Sequence, residues 1–550
     1  MAHHIPPPAE VWRGITESLT EDPSRRVNTF DEACGRWASD RSKLALILRH
    51  PDGSSERWTY SELAREAARA SRMFADAGLR PGDRIAAVLS RQIEAWICAL
   101  AAWRAGIVYV PLFCGFGGDA LAYRLATSGA RAVVADYRWR QAVADAEDRL
   151  GRDIDVITVG GPRGTGIRRG DRSFWAEMER CSPDGPVVET APDTPATLMF
   201  TSGTTSDPKA CVIPHSGFIA LLPFVRHVFA IDQRDLLFAT SDPGWSYGLY
   251  TTGCAPMSLG IPRIIYTGDF DPKAWIRVME DEQVTFAAGA PTAFRQLLAT
   301  ASSVGFPSSL KGATTAGEPL DAGTVTGWER LFGTPIRDGY GLTEVGMVLG
   351  DLGNPEIPSE PGTLASVVPG FEVDLVNEDG IPTSGDEGLI AIRRPPFQLS
   401  SGYENAPDAW EKRWHGDWYV TDDIAQRNDK GNWRFAGRAD DVIVTAGYNV
   451  GPVEVESILL ENPGVSEAAV VAAPDPDRGS VIRAVVVQAE GAPAADVLIQ
   501  QLQDAVRRRL GRHAYPRIVE FVDALPRTAT GKVRRADLRA TTGASRSRES

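Results

Sequence analysis

The residues best suited to chemistry begin at Leu198. The apolar stretch Leu198-Met199-Phe200 runs straight into Thr201-Ser202-Gly203-Thr204-Thr205-Ser206, and Lys209 follows. Glycine lets the backbone approach an anion closely, and successive N–H groups and hydroxyls can wrap phosphate oxygens. The lysine adds a mobile point charge. The spacing is not GxxxxGK[ST], so this is not the usual P-loop. These residue types suit a cradle for phosphate, the plain alternative being a Ser/Thr-rich turn. Lysine is scarce, found only at positions 43, 209, 273, 311, 412, 430 and 532. Two of these, Lys209 and Lys532, fall inside Gly/Thr-rich motifs.

Further polar sets follow in order. They are Thr315-Ala316-Gly317-Glu318-Pro319-Leu320, then Asp338-Gly339-Tyr340-Gly341-Leu342-Thr343-Glu344, then Tyr419-Val420-Thr421-Asp422-Asp423 with Gly437-Arg438-Ala439-Asp440-Asp441, and last Pro526 through Lys532. Together with the Thr201 run, they resemble the signatures of the adenylate-forming superfamily of acyl-CoA synthetases, adenylation domains and luciferases. The likeness is greatest to medium-chain or aromatic acyl-CoA synthetases and extends from about residue 30 to 540.

The resemblance implies ATP-dependent activation of a carboxylic acid as an acyl-adenylate, with pyrophosphate release and then transfer to the thiol of CoA. ATP, Mg²⁺ and CoA are the implied cofactors. Lys532 would bridge the acid and the α-phosphate. Thr204, Thr205 and Lys209, with Thr201, Ser202 and Gly203, would hold the phosphates. Gly317, Glu318 and Pro319 would contact adenine, as would Asp338, Gly339, Tyr340, Gly341 and Thr343. Glu344 would bind Mg²⁺, a hard cation that prefers oxygen ligands. Asp423 would take the ribose hydroxyls, supported by Arg438. Singly, these two read as a turn aspartate and a surface ion pair, and only the ordered set gives them roles. Asp440 falls at the interdomain hinge, and Gly447 on the strand that lines the thiol channel, unless it marks a bulge. Gly341, Gly317 and Trp245 border the expected acid pocket. Gly341 stands where acetate-specific relatives carry a bulky aromatic, which implies an acid larger than acetate. Trp245 reads equally as core.

Some positions depart from the pattern. Ser206 and Ala210 replace glycines, Asp422 replaces the glycine of a Thr-Gly-Asp motif, and Asn449 stands where many relatives have an arginine that contacts phosphate or CoA. Other acceptors therefore stay open, an amine or a carrier protein acting in trans, and so does another acid, nitrite activated for diazotisation of an aryl amine. An inactive nucleotide-binding protein is the reading from another class, opposed by the intact Lys209, Glu344, Asp423 and Lys532.

The elements that must position these residues are legible as alternation. Apolar spacing predicts a helix over 61–77 and another over 93–105, with strands at 84–89, 108–112, 132–135 and 154–159, the signature of βαβ units and a mostly parallel sheet. Residues 160–173 read as a solvated loop and 191–197 as a linker. Over residues 360–393 the pattern shifts to a small antiparallel β unit with turns near Gly380 and Gly385. After Arg438 comes a compact α+β piece with helices at 454–461 and 495–510 and strands at 467–473 and 484–488. The expected layout is α/β: βαβ layers plus the small β unit over 1–437, a small α+β domain with the catalytic lysine over 438–540 and a disordered tail (541–550), the resemblance implying that the first is the N-terminal adenylating domain and the second a mobile C-terminal one.

The chain has 550 residues, 43% of them hydrophobic, more than one core usually absorbs. A net charge of −14 argues against a nucleic-acid partner. The six cysteines form no CxxC pair and the seven histidines no zinc spacing, so buried thiols in a reducing compartment are expected. No apolar run approaches the ~20 residues needed to span a bilayer, and the N-terminus has no signal-peptide core. A cytoplasmic monomer or homodimer is expected.

Overall fold

A computed structural model describes residues 6–161, 164–201, 208–304, 309–353, 359–383, 385–439, 441, 443–445, 448–475, 479–510, 514–527 and 532–544. Two large sheets dominate. In the first, the order is Gly402–Tyr403, Lys209–Pro214, Pro195–Thr201, Val108–Pro111, Arg84–Val88, Ala132–Asp136, Asp155–Val159 and Arg172–Ser173. It is parallel from Pro195–Thr201 onward and antiparallel at the Lys209 end. The second has a parallel centre that includes Leu44–Arg49, Leu237–Ala239, Phe286–Gly289, Gly312–Ala316 and Ile336–Leu342.

Strand side chains alternate between faces, and that alternation builds the layers. Leu46 and Leu48 of the second sheet share one core with Ile85 and Ala87 of the first, filled by the helices Tyr60–Asp76 and Ile93–Arg104. Ile47 faces the other way, onto the helices Pro272–Asp281, Pro291–Val304 and Ala322–Phe332. Ala86 and Val88 likewise face Gly118–Ser128 and Arg140–Leu150. Two sheets thus alternate with three helical layers. Helix Tyr60–Asp76 starts on a capping box, Thr59 and Glu62 satisfying each other's backbone N–H groups. Ile93–Arg104 has polar Glu94 and Arg104 only near its ends, and Trp96 and Trp103 are almost wholly buried.

The small β unit extends beyond the expected 360–393. Val373–Val376 and Glu387–Arg393 are joined by Trp414–His415, Trp418–Arg427 and Trp433–Arg438 in one antiparallel sheet. The C-terminal piece sets Val465–Asp475 and Gly479–Gln488 antiparallel, with Ile518–Phe521 parallel on the edge. Its own core includes Leu459, Val470, Ile482, Leu498 and Leu502.

The structure differs from the sequence reading at three boundaries. The strand that carries Thr201 begins at Pro195, inside the expected linker. Asp171, in the expected solvated loop, is pinned by Arg140 at 2.9 Å and by Thr158 at 2.7 Å, because it lies beside the sheet edge. The last helix, Arg535–Ala544, continues through 541–544, where a disordered tail was expected. Its Leu538 is buried against Ala469, Val471 and Val485, which gives the chain a reason to stay ordered there.

Candidate active site

The segment expected to cradle phosphate joins two antiparallel strands. Pro195–Thr201 and Lys209–Pro214 run antiparallel, and Thr201 faces Lys209 directly across the ladder. Ser202, Gly203, Thr204, Thr205 and Ser206 lie outside the described residues. Strand Lys209–Pro214 is held on its other side by Gly402–Tyr403, with Tyr403 opposite Cys211. Asn405 secures the same stretch, accepting the Ala210 N–H at 3.0 Å and donating to the Pro208 carbonyl at 3.3 Å. This arrangement brings Lys209 and Glu344 together around Tyr403. The lysine ammonium lies 5.1 Å from the Tyr403 ring centre, and the Tyr403 hydroxyl donates to Glu344 Oε1 at 2.7 Å. Glu344 is 9% exposed, so this bond is sheltered from water. Sequence reasoning missed Tyr403, an isolated aromatic with no motif around it.

The segments expected to contact adenine sit on two neighbouring parallel strands. Thr315 is paired with Asp338 and Ala316 with Gly339. Ligands of open α/β sheets bind at the carboxyl ends of the strands. Gly317 turns the chain with φ +91°, a conformation that favours glycine. Asp338 ties the turn to the next strand, accepting from Thr315 Oγ1 at 2.8 Å, the Gly339 N–H at 3.0 Å and the Leu320 N–H at 3.2 Å. Burial pushes its carboxyl up from 3.8 to about 7, against those hydrogen bonds and the charge of Arg295. Glu318 accepts from Thr292 Oγ1 at 2.6 Å and lies 3.6 Å from Arg295 and 3.8 Å from Arg527 of the C-terminal piece.

Gly341 has a backbone reason for being glycine. A Cβ there would stand 2.2 Å from the Gly346 carbonyl oxygen and 2.7 Å from Met347 Cα. The strands Ile336–Leu342 and Gly346–Gly350 shift register at this point, which brings the chains too close for a side chain. The glycine therefore cannot by itself report pocket size.

Asp423 gathers the third set. It is 6% exposed, and Tyr340 Oη donates to its Oδ2 at 2.6 Å. Arg438, its partner across the antiparallel ladder, places Nη1 3.7 Å from Asp423 Oδ1. Burial raises the Asp423 carboxyl above its ordinary range. The Tyr340 hydrogen bond and the charges of Arg438 and Lys532 oppose that rise. Lys532 is exposed, and its ammonium is close enough to act on Asp423, so the C-terminal piece delivers it to this face. Asp422 points to a different partner, accepting both guanidinium nitrogens of Arg413, while Arg438 Nη2 lies 3.3 Å away. Asp440 and Gly447 lie outside the described residues, and Asn449 pairs through its backbone with Val444 in a two-stranded ribbon.

Trp245 packs against Phe113 and Phe116, with ring centres 5.7 and 6.0 Å away. The chain then enters a π-helix, Tyr247–Cys254, a form that often marks functional sites. His215, after the hairpin, is a core residue: its Nδ1 accepts the Thr29 N–H at 3.0 Å, and burial lowers it to about 3, so it stays neutral. A surface depression of about 440 Å³, lined in part by Glu62, Arg65, Glu66, Arg69 and Trp175, shares no residue with the motif cluster. Its interleaved charges read as a solvated helix face.

Residues 30–404 match the AMP-binding enzyme family, and residues 454–532 match the AMP-binding enzyme C-terminal domain. The chain belongs to the AMP-binding enzyme family, within the adenylate-forming superfamily, and is an AMP-forming ligase. It is similar to the uncharacterized acyl-CoA ligase YtcI of Bacillus subtilis, 31% identical over 92% of this chain and 94% of the relative. Similarity extends to the mouse mitochondrial acyl-coenzyme A synthetase ACSM3, at 31% over 95% of this chain and 92% of the relative. A crystal structure of a Brucella canis acyl-CoA synthetase is 34% identical, with a TM-score of 0.75 and coverage of 97% of each chain.

Proposed function

We propose that this protein activates a carboxylic acid larger than acetate with ATP, releases pyrophosphate, and passes the acyl group to the thiol of CoA. The observation that carries the reading is the convergence of Lys532 on the Asp423–Tyr340–Arg438 cluster. Adenylation needs a cation where negative charge gathers between the attacking acid and the α-phosphate, and a lysine on a separate unit can supply it. Asp423 accepts the ribose hydroxyls, and the Tyr340 and Arg438 contacts hold its carboxylate in place. The Asp338-pinned turn, Gly317 to Pro319, and the strand end from Gly339 to Thr343 flank the adenine. Lys209, with Thr201, Ser202, Gly203, Thr204 and Thr205, takes the outer phosphates.

The donor set at Glu344 fits Mg²⁺. It offers one sheltered carboxylate with one oxygen already engaged by Tyr403, and Mg²⁺ takes its remaining ligands from waters and substrate phosphates. When bound, the ion would neutralise phosphate charge. Trp245 with Phe113 and Phe116 offers an apolar wall for the acid. The acyl-CoA names of the relatives support CoA as acceptor. We further propose Asp440 as the hinge, Gly447 on the thiol channel, Asn449 near the nucleotide, and a cytosolic monomer or homodimer. Among the described residues, no helix is long and apolar enough to cross a membrane.

The test is pyrophosphate release with a panel of acids, with and without CoA. Acid-dependent release that ends in a CoA thioester is the expected result. Release that requires an amine would replace the acceptor, and failure with every acid would overturn the reading.

A further inference from the structure

Asp422 stands where the resembled motif has glycine, and its carboxylate meets Arg413 and Arg438. Both terminal nitrogens of Arg413 close on it, and Arg438 Nη2 lies 3.3 Å from its Oδ2. The same Arg438 reaches Asp423 through Nη1 at 3.7 Å. Arg438 is thus suspended between two adjacent carboxylates. The Asp422 carbonyl also accepts the Ala439 N–H at 2.7 Å, which fixes the backbone just after Arg438. With glycine at 422, the Arg438 guanidinium would keep only one of these carboxylates. An additional carboxylate beside a nucleotide site would by itself repel phosphate. Here the charge that Asp422 adds is met by the Arg413 guanidinium, while Asp423 keeps its own contacts with Tyr340 and Arg438.

We infer that Asp422 is a positioning residue, which fixes Arg438 against Asp423 before nucleotide arrives, and that Arg413 cancels the charge this brings in. The inference rests on the nucleotide-binding reading above, but it needs no knowledge of the acid. It deepens the assignment of Arg438, because a long side chain ordered in advance loses less freedom when the ribose binds.

The experiment is calorimetric titration of the full chain with ATP and with AMP, comparing wild type, Asp422→Asn, Arg413→Gln and the double variant. Ordering one long side chain at the moment of binding corresponds to a loss of about 2- to 12-fold in affinity, and that loss is expected for Asp422→Asn with both ligands. Asp422→Gly, which restores the residue of the resembled motif, should lose affinity to the same extent. Arg413→Gln leaves Asp422 uncancelled. It should weaken ATP more than AMP, and added salt should shrink the penalty because these side chains are partly exposed. In the double variant no charge remains to cancel, so affinity should return to that of Asp422→Asn alone. Affinity unchanged to within about twofold in Asp422→Asn, tighter binding in it, or penalties that simply add in the double variant would overturn the inference. Wild type that binds no ATP would instead sink the nucleotide reading itself.

Discussion

Replacing Asp338 by asparagine probes a carboxyl whose burial conflicts with its charge. In the fold this group is raised from 3.8 to about 7. A raised folded value means that stability is fully present below the ordinary carboxyl range and is lost as pH rises toward 7. A gap of about three units corresponds to roughly 4 kcal/mol, of which about 2 kcal/mol develops between about pH 5.5 and about pH 8.5. Asparagine does not titrate, so that part of the pH dependence should vanish. The exchange has a cost of its own. The Thr315 and Gly339 donors share Oδ1 and can be kept, but the Leu320 N–H faces Oδ2 and would meet an amide NH₂, a loss of about 1–3 kcal/mol. Asp338→Asn should therefore be less stable than wild type at acid pH and close to it, or better, at alkaline pH. The assay is the unfolding midpoint of both proteins across that range, together with difference infrared spectra that isolate the Asp338 carboxylic-acid band. A stability gap that does not change with pH, or a band already lost near pH 5, would refute the reasoning.

Lys532→Ala should lower acid-dependent pyrophosphate release by about 100-fold or more while calorimetric AMP affinity stays near wild type, and an unchanged release rate would remove Lys532 from catalysis. Tyr340→Phe takes a hydrogen-bond donor from the sheltered Asp423 carboxylate and should weaken AMP binding by about tenfold, read by the same titration. Glu344→Gln should raise the Mg²⁺ concentration needed for half-maximal pyrophosphate release, and an unaltered Mg²⁺ curve would count against the assignment. Thr197→Val orphans two buried donors, Trp103 Nε1 at 3.0 Å and Tyr250 Oη at 2.7 Å. It should cost roughly 2–5 kcal/mol of stability, seen as a lowered thermal midpoint.

Much of the fold could be read from the sequence because its signals are local. The apolar runs at 84–89, 108–112 and 132–135 became neighbouring parallel strands, and the helical spacing at 61–77 and 93–105 became the layer between the sheets. The motif residues were legible as types, since phosphate, ribose and acid each call for particular groups. What the sequence hid depends on partners distant along the chain. Nothing around Tyr403 announces that it joins Lys209 to Glu344, and Asp422 reads as an anomaly until Arg413 and Arg438 are seen beside it. Gly341 was legible as a missing side chain, but its cause, a backbone crossing at the Ile336–Leu342 strand, has no signature in residue type.

The pairing of Thr201 with Lys209 has a mechanical consequence. The two ends of the phosphate segment are rungs of one ladder, and the Lys209 strand is braced from its far side by Gly402–Tyr403. Whatever path residues 202–207 take, the lysine stays riveted to the sheet. A nucleotide can then be exchanged, and substitutions such as Ser206 can accumulate, without moving the anchor of the positive charge. The two ends work like the stitching of a strap, held by one strand pair on the near side and by Gly402–Tyr403 on the far side.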